Sequence, residues 1–416
     1  MKRKFIYIVT MCLFVCSCVN DDSYTMDDFR NTISIVYQGT SVQVSGDVKG
    51  LISVNGAHVT VNGSNNTTAN LEITLSGSTT DGSLLVYNLR SYTLVLNGVN
   101  ITNANGPAIN NQCGKALYLI CSNGTTNTLT DGATYAQAPT NSTGEVIDQK
   151  GTLFSEGQIF FRGTGQLTVN GNGKNGIASD DYIIIENGNI NVNVSSTGSN
   201  GIKVNDGFTI NAGTLNIDVS AKGARGIKND ATTTIVGGTT TIKTSGDCLI
   251  ETNDGIADTT ACAGIKSDSL FVMTAGTLDI TSTGDGAKGI NCSADIEVKG
   301  GRMTVTTTGT KDYSKPHGLK ADGNVVFSGG EIYVCSARKA ISTDSSFLIN
   351  GGTVMAIGKK ESEVSVNSTQ NYSTYDDDDE IDAIGGESLS LDGVTYTIPS
   401  VFTCRDAFVI VSNSSM

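Results

Sequence analysis

Four lysines and a set of aspartates recur at matching places in the middle of this chain. Lys203, Lys228, Lys266 and Lys320 each follow a Gly-Ile or Gly-Leu pair. Two residues beyond that lysine position, in successive copies, stand Asp180, Asn205, Asp230, Asp268, Ser293, Asp322 and Asp344. If the backbone stacks these copies, one face carries parallel rows of ammonium and carboxylate groups. Carboxylates together with turn carbonyls supply the six to eight hard oxygen donors that Ca²⁺ takes in irregular geometry. Asp180, Asp181, Asp206, Asp230 and Asp268 are the candidate metal ligands, with Asp180, Asp181 and Asp206 the densest group. The row Lys203, Lys228, Lys266 and Lys320 can pair with the carboxylates of a polyuronate, and Tyr182 offers an aromatic face to a sugar ring. The same rows also have a plainer account, because stacked like charges repel unless opposite charges lie between them.

The element that must position these groups is a repeat. The phrase Gly-Ile-x-x-Asp begins at Gly176, Gly201 (where Asn205 takes the last place), Gly226 and Gly264 and continues in altered form at Gly289, Gly318 and Ala340. A second marker, a turn ending in Gly before an alternating strand, has its Gly at 188, 213, 238, 276, 301, 330 and 352. The two markers drift together, which identifies one structural unit repeated seven times. Each unit reads as three short strands of period two. In one copy these are Gly201 to Asp206, Gly207 to Asn211 and Thr214 to Val219, with Ile202, Phe208, Ile210, Leu215 and Ile217 on one side. A unit of about 25 residues cannot bury that side alone, whereas copies stacked at about 4.8 Å pair every strand with its equivalents. The predicted fold is all-β: a right-handed, single-stranded parallel β-helix, a solenoid with about 25 residues and three strands per coil. The inward ladder is Ile177, Ile202, Ile227, Ile265, Ile290, Leu319 and Ile341.

The flanks divide the chain further. Residues 1–18 read as a lipoprotein signal peptide: Lys2, Arg3 and Lys4, then an apolar stretch from Phe5 to Val15 too short to span a bilayer, then Val15-Cys16-Ser17-Cys18. Cys18 is the expected lipidation site, and the expected location is a lipid anchor in the outer membrane at the cell surface. Residues 19–60 are expected to form a linker and N-terminal cap, 61–360 the β-helix, 361–387 an acidic polar loop containing Asp376 to Glu380, and 388–416 capping strands. The excess residues between Gly226 and Gly264, near Asp247 to Thr260, are expected to project as a loop flanked by Cys248 and Cys262.

Composition excludes several functions. A net charge of −14 does not suit a nucleic-acid partner, whose phosphates need a basic face. Seven cysteines follow Cys18, an odd number, so disulfides cannot be the main source of stability. With His58 and His317 the only histidines and no CxxC pair, a zinc site is not expected. The chain has no Trp, so an aromatic platform must come from tyrosines such as Tyr182 or Tyr333.

The recurring Gly-Ile-Lys-x-Asp/Asn phrase at 201, 226 and 264, and the Ala-Gly turn followed by Thr-Leu-x-Ile at 212–217 and 275–280, resemble the carbohydrate-binding parallel β-helix proteins of bacterial surfaces. Those proteins look like polysaccharide lyases in fold. The resemblance covers roughly residues 70–360. It implies non-catalytic binding of cellulose-like or acidic polysaccharide, with calcium held in the coils. A monomer is expected, with no catalytic residues. Two alternatives remain open: a polysaccharide lyase acting on uronate-containing glycans, for which a base such as Arg225 beside a Ca²⁺-holding carboxylate would be needed, and a structural adhesin or stalk.

Overall fold

The computed structural model describes residues 30–415, except 48, 66–69, 254–255, 311–313 and 360–363. The expected signal peptide and lipidation site, Cys18, lie outside the described residues. Period-two patterning becomes a parallel β-solenoid, with almost no helix. A coil is well illustrated by Asn175–Ser179, Tyr182–Ile185 and Asn189–Val194, one strand in each of three sheets. The first sheet has twelve strands. The second and third join into one 23-stranded sheet, because strands such as Tyr92–Asn103, Val325–Ser336 and Phe347–Gly358 run continuously round the corner between them.

The inward ladder forms as expected. Ile177, Ile202, Ile227, Ile265, Ile290, Leu319 and Ile341 pair in register from coil to coil. All are at most 1% exposed. Each such side chain contributes about 1.5–3 kcal/mol by leaving water. The glycine before all but Ile341, which follows Ala340, has a steric reason. A Cβ on Gly226 would stand 2.3 Å from Ile242 Cγ2 and 2.6 Å from the Gly264 carbonyl oxygen, and one on Gly264 would meet Ile280 Cγ2 and the Gly289 carbonyl in the same way. The second glycine marker answers a different need: Gly213 turns the chain with φ +87°, a region that L side chains avoid.

One further inward position turns the corner from the first sheet into the second. Ser155, Ser179, Asn229 and Ser267 are buried there and hydrogen-bond the turn that follows. Ser179 Oγ donates to the Gly157 carbonyl at 3.0 Å and accepts from the Asp181 amide at 3.2 Å. These polar groups fix the turn that presents Asp180 and Asp181.

The flanks add structure of their own. Parallel pairing reaches back to Arg30–Gln38, which pairs with Asn70–Thr79 and, antiparallel, with Ser41–Ser45. The insertion after Asp247 is an antiparallel hairpin, Leu249–Asn253 with Ile256–Thr260, where a loop was expected. At the other end Phe408–Ser412 pairs antiparallel with Phe347–Gly358. This C-terminal segment makes a second core with Tyr333, Cys335, Met355 and Ile357. Tyr333 is thereby stacked on Tyr396, ring centroids 4.3 Å apart, and is not a surface platform. All seven described cysteines are buried free thiols.

Candidate functional site

The lysine row exists, and each member is held by carboxylates. Lys203, Lys228 and Lys266 lie in register, followed by Asn291 and Lys320. Lys266 and Lys320 reach Asp268 and Asp322 of their own coils at 2.6 Å. Lys203 reaches forward one coil to Asp230 at 2.5 Å, and Lys228 stands 3.5 Å from the same carboxylate. Burial works to raise the Asp230 pKa, but the hydrogen bond and charge of Lys203, with Lys228 beside it, hold this carboxyl below its ordinary value. The row is thus internally compensated along most of its length.

The five candidate metal ligands are not gathered at one place. Asp230 and Asp268 belong to the lysine pairs just described. Asp181 accepts a hydrogen bond from Gln158 and the Tyr182 amide; burial raises its pKa, and the nearby Asp206 charge adds to the rise. Asp180 alone joins a compact cluster, and its partners are two residues the repeat did not point to. Ligand oxygens of Asp148, Glu156 and Asp180 all lie within 4.8 Å of one another. Lys150 sits among them, 2.6 Å from Asp148 and 2.5 Å from Asp180. Burial, then the charges of Asp180 and Asp148, push the Glu156 carboxyl up. Three carboxyls against one ammonium leave this pocket short of positive charge.

Tyr182 takes part in a larger feature. It opens the strand Tyr182–Ile185 of the second sheet, which pairs with Ile159–Gly163, which pairs in turn with Leu117–Cys121. The outward residues of these strands include Tyr182, Phe160 and Tyr118, all half-buried. The Phe160 ring lies 5.1 Å from Tyr118 and 5.6 Å, edge to face, from Tyr182. The Arg162 guanidinium lies 4.5 Å over Tyr118 and makes two hydrogen bonds to Glu186, at 2.6 and 2.8 Å. A strip of three rings is flanked by a planar, pre-oriented ion pair. The rings can stack on the apolar faces of sugars while the pair hydrogen-bonds their hydroxyls. Tyr118 and Phe160 were not singled out from the sequence, because 42 residues of irregular spacing separate two positions that become neighbours.

Around the next corner, the third sheet presents a cavity of about 480 Å³ lined by Thr130, Asn170, Asn172, Asn193, Ser195 and Asp218. Its amides form a cross-coil chain, Asn193 Nδ2 to Asn170 Oδ1 at 3.0 Å and Asn170 Nδ2 to Thr130 Oγ1 at 3.1 Å. Such a surface offers neutral donors and acceptors.

Comparison with known proteins decides the family. The family model described as carbohydrate-binding domain-containing protein matches residues 55–254 and 200–362, most of the chain and nearly all of the solenoid. The chain belongs to this family. Among members of the carbohydrate-binding domain-containing family, a protein of Acetivibrio thermocellus is 34% identical over 122 residues, 29% of this chain. That match spans 41% of the relative's length. A solved structure, the gadolinium derivative of a polysaccharide lyase-like protein from C. thermocellum, is similar with a TM-score of 0.51 at 26% identity. It covers 64% of this chain and 96% of its own. The parallel β-solenoid and the carbohydrate-binding family are therefore established together.

Proposed function

We propose that this protein binds polysaccharide without transforming it, as a lipid-anchored component of the bacterial cell surface. The observation that carries the reading is the strip of Tyr118, Phe160 and Tyr182 with the Arg162–Glu186 pair beside it, on an outer sheet face of a carbohydrate-binding family member. The amide-lined cavity on the adjoining sheet supports the same reading, because a chain of sugar rings that stacks on one feature can hydrogen-bond to the other.

Calcium assists in this reading, at a place shifted from the aspartate ladder. Asp148, Glu156 and Asp180 supply the hard oxygen donors that the ion prefers, and the Glu156 carboxyl is raised first by burial and then by the charges of Asp180 and Asp148, which a cation would offset. Bound Ca²⁺ would supply positive charge there and fix the turn that leads into Tyr182.

Retardation of the protein in gels containing hydroxyethylcellulose or polygalacturonate, with and without chelator, tests the proposal. Retention without product release is expected, and Tyr118→Ala or Phe160→Ala should weaken it about tenfold, equivalent to about 1.4 kcal/mol. Release of unsaturated ends absorbing in the ultraviolet would replace binding by lyase chemistry. Migration unchanged by any polysaccharide would leave the architectural role of a stalk or adhesin.

A further inference from the structure

At the corner between the third and first sheets, a second ladder runs beside the glycines. Arg225, Ala263, Lys288, His317 and Lys339 pair in register over five coils. Four of these five side chains are basic, in a protein of net charge −14. Two of them are removed from water, Lys288 at 9% and His317 at 6% exposed, while Arg225 and Lys339 are half-buried. Unlike the lysine row, this ladder has no carboxylate ion-paired to Arg225, Lys288 or Lys339 among the described residues. The Arg225 Nε and the His317 Nδ1 are buried with no hydrogen-bond partner. The Lys288 ammonium has a single neutral acceptor, Ser314 Oγ at 3.0 Å. The carboxylate that acts on Arg225 from a distance is Asp268, itself held by Lys266.

Burying cations without counter-charges is costly, and the mutual repulsion is visible in the groups themselves. Burial lowers the Lys288 pKa to about 8, with Lys320 and Arg225 adding to the fall. Burial, then Lys288, Arg338, Lys339 and Lys320, hold His317 down to about 3, so its imidazole is neutral. The ladder is also narrow at one step. Ala263, between Arg225 and Lys288, has a side chain of one carbon, so no long side chain stands between the two cations, whose backbone positions are two coils, about 9.6 Å at the usual strand spacing, apart. Pro316, next to His317, lines a cavity of about 350 Å³ together with Arg338, Lys359, Thr308 and Thr310, beside the C-terminal end of the ladder.

We propose that this corner is an oxyanion-binding niche in which Arg225 and Lys288 clamp a carboxylate or sulfate group carried by a bound glycan. Arg225 supplies a planar fork, Lys288 a point charge and His317 a neutral N–H. The inference rests on the polysaccharide reading for its ligand, while its residues are distinct from the aromatic strip. The niche gives the protein a way to tell charged from neutral glycans, since only a charged substituent relieves the buried repulsion.

The test is calorimetric titration at fixed ionic strength in chelator, with trigalacturonate, a sulfated galactan oligosaccharide and cellotetraose as probes. Wild type, Arg225→Gln, Lys288→Met and the exposed control Lys243→Gln are compared. Arg225→Gln and Lys288→Met should each weaken the charged probe that fits by tenfold or more, and the control should not. Cellotetraose affinity should be unchanged throughout, and the two charged probes separate carboxylate from sulfate. Lys288→Met should also melt above wild type, because it removes a repelled buried charge; a merely structural lysine would lower the melting temperature when replaced. Wild-type affinity for both charged probes in the two folded variants overturns the niche, as does a loss that includes cellotetraose. If wild type binds none of the probes, the glycan reading falls, and the niche is read from melting in sulfate against chloride. A sulfate effect larger in wild type than in Arg225→Gln upholds it, and an equal effect sinks it.

Discussion

Lys203 reaches along the solenoid to Asp230 of the next coil, its ammonium 2.5 Å from the carboxylate. The pair ties two coils together through side chains where the sheet already ties them through backbone. Because Asp230 is part-exposed, its removal should cost little: Asp230→Asn is expected to destabilise by about 0.5 kcal/mol at neutral pH, in the range of surface pairs. The pH dependence has a definite sign. The Asp230 carboxyl is held below its ordinary value, so its contribution is present above the unfolded-state pKa of about 3.9 and is lost as pH falls through the lower folded value. Urea denaturation of wild type and variant from pH 7 downward should show a constant gap that closes only below about pH 4. A gap that closes near pH 6 would contradict the pairing.

Glu156 should behave in the opposite sense. Its carboxyl is pushed up by burial and by Asp180 and Asp148, so it favours the folded state when protonated, and that contribution is lost as pH rises through the folded value. In chelator at pH 7, Glu156→Gln should melt slightly above wild type, by on the order of a degree. The gain should vanish in acid, below about pH 4.3. In millimolar Ca²⁺ the order should reverse, since wild type gains stability from the ion, about 2.7 kcal/mol at 100 times its Kd, and the variant gains less. Equal responses of both proteins to Ca²⁺ would remove Glu156 from the metal proposal.

The glycine ladder predicts a backbone effect that hydropathy does not. Gly264→Ala adds one methyl group 2.3 Å from Ile280 Cγ2 and 2.8 Å from the Gly289 carbonyl oxygen. Overpacking of this kind costs about 1–3 kcal/mol. Ile280→Val in the same chain should recover only part of it, because the carbonyl contact remains. Ile265→Asp, next in sequence, should abolish soluble expression, since it drives a charge into a ladder that is closed to water. Thermal melting of the alanine variants and solubility of the aspartate variant are the measurements.

Anchoring is tested separately. Labelled palmitate should enter the wild-type chain and not Cys18→Ala, which should leave the membrane fraction. Persistent labelling in that variant would move the modification to Cys16.

The repeat makes the coil register readable in the sequence, and the reason is physical. Stacked coils place equivalent residues in contact, so a recurring Gly-Ile pair is a recurring contact. The register of Ile227 on Ile265 survives a hairpin inserted between them, because an insertion at a corner leaves the strands free to pair. The fold class, the inward ladder and the lysine row were legible on this ground.

The chemistry of the surface was less so. Which carboxylate a lysine meets depends on the offset between coils and on side-chain reach, and Lys203 prefers the next coil where Lys266 and Lys320 prefer their own. Asp148 and Glu156 come to Asp180 from a stretch where the repeat is irregular, so no periodicity marks them. Tyr118 and Phe160 become neighbours across such a stretch, and Tyr333, equally plausible by type, is covered by the C-terminal segment.

The sequence alone determined the parallel β-solenoid, its coil length and its inward ladder, because strand period and repeat spacing act through neighbours along the stack. Only the tertiary structure decided which polar and aromatic residues work together. Arg225 and Lys288 share a corner with only Ala263 between them, and Asp180 sides with Glu156, because closure of each coil sets distances that no local pattern encodes.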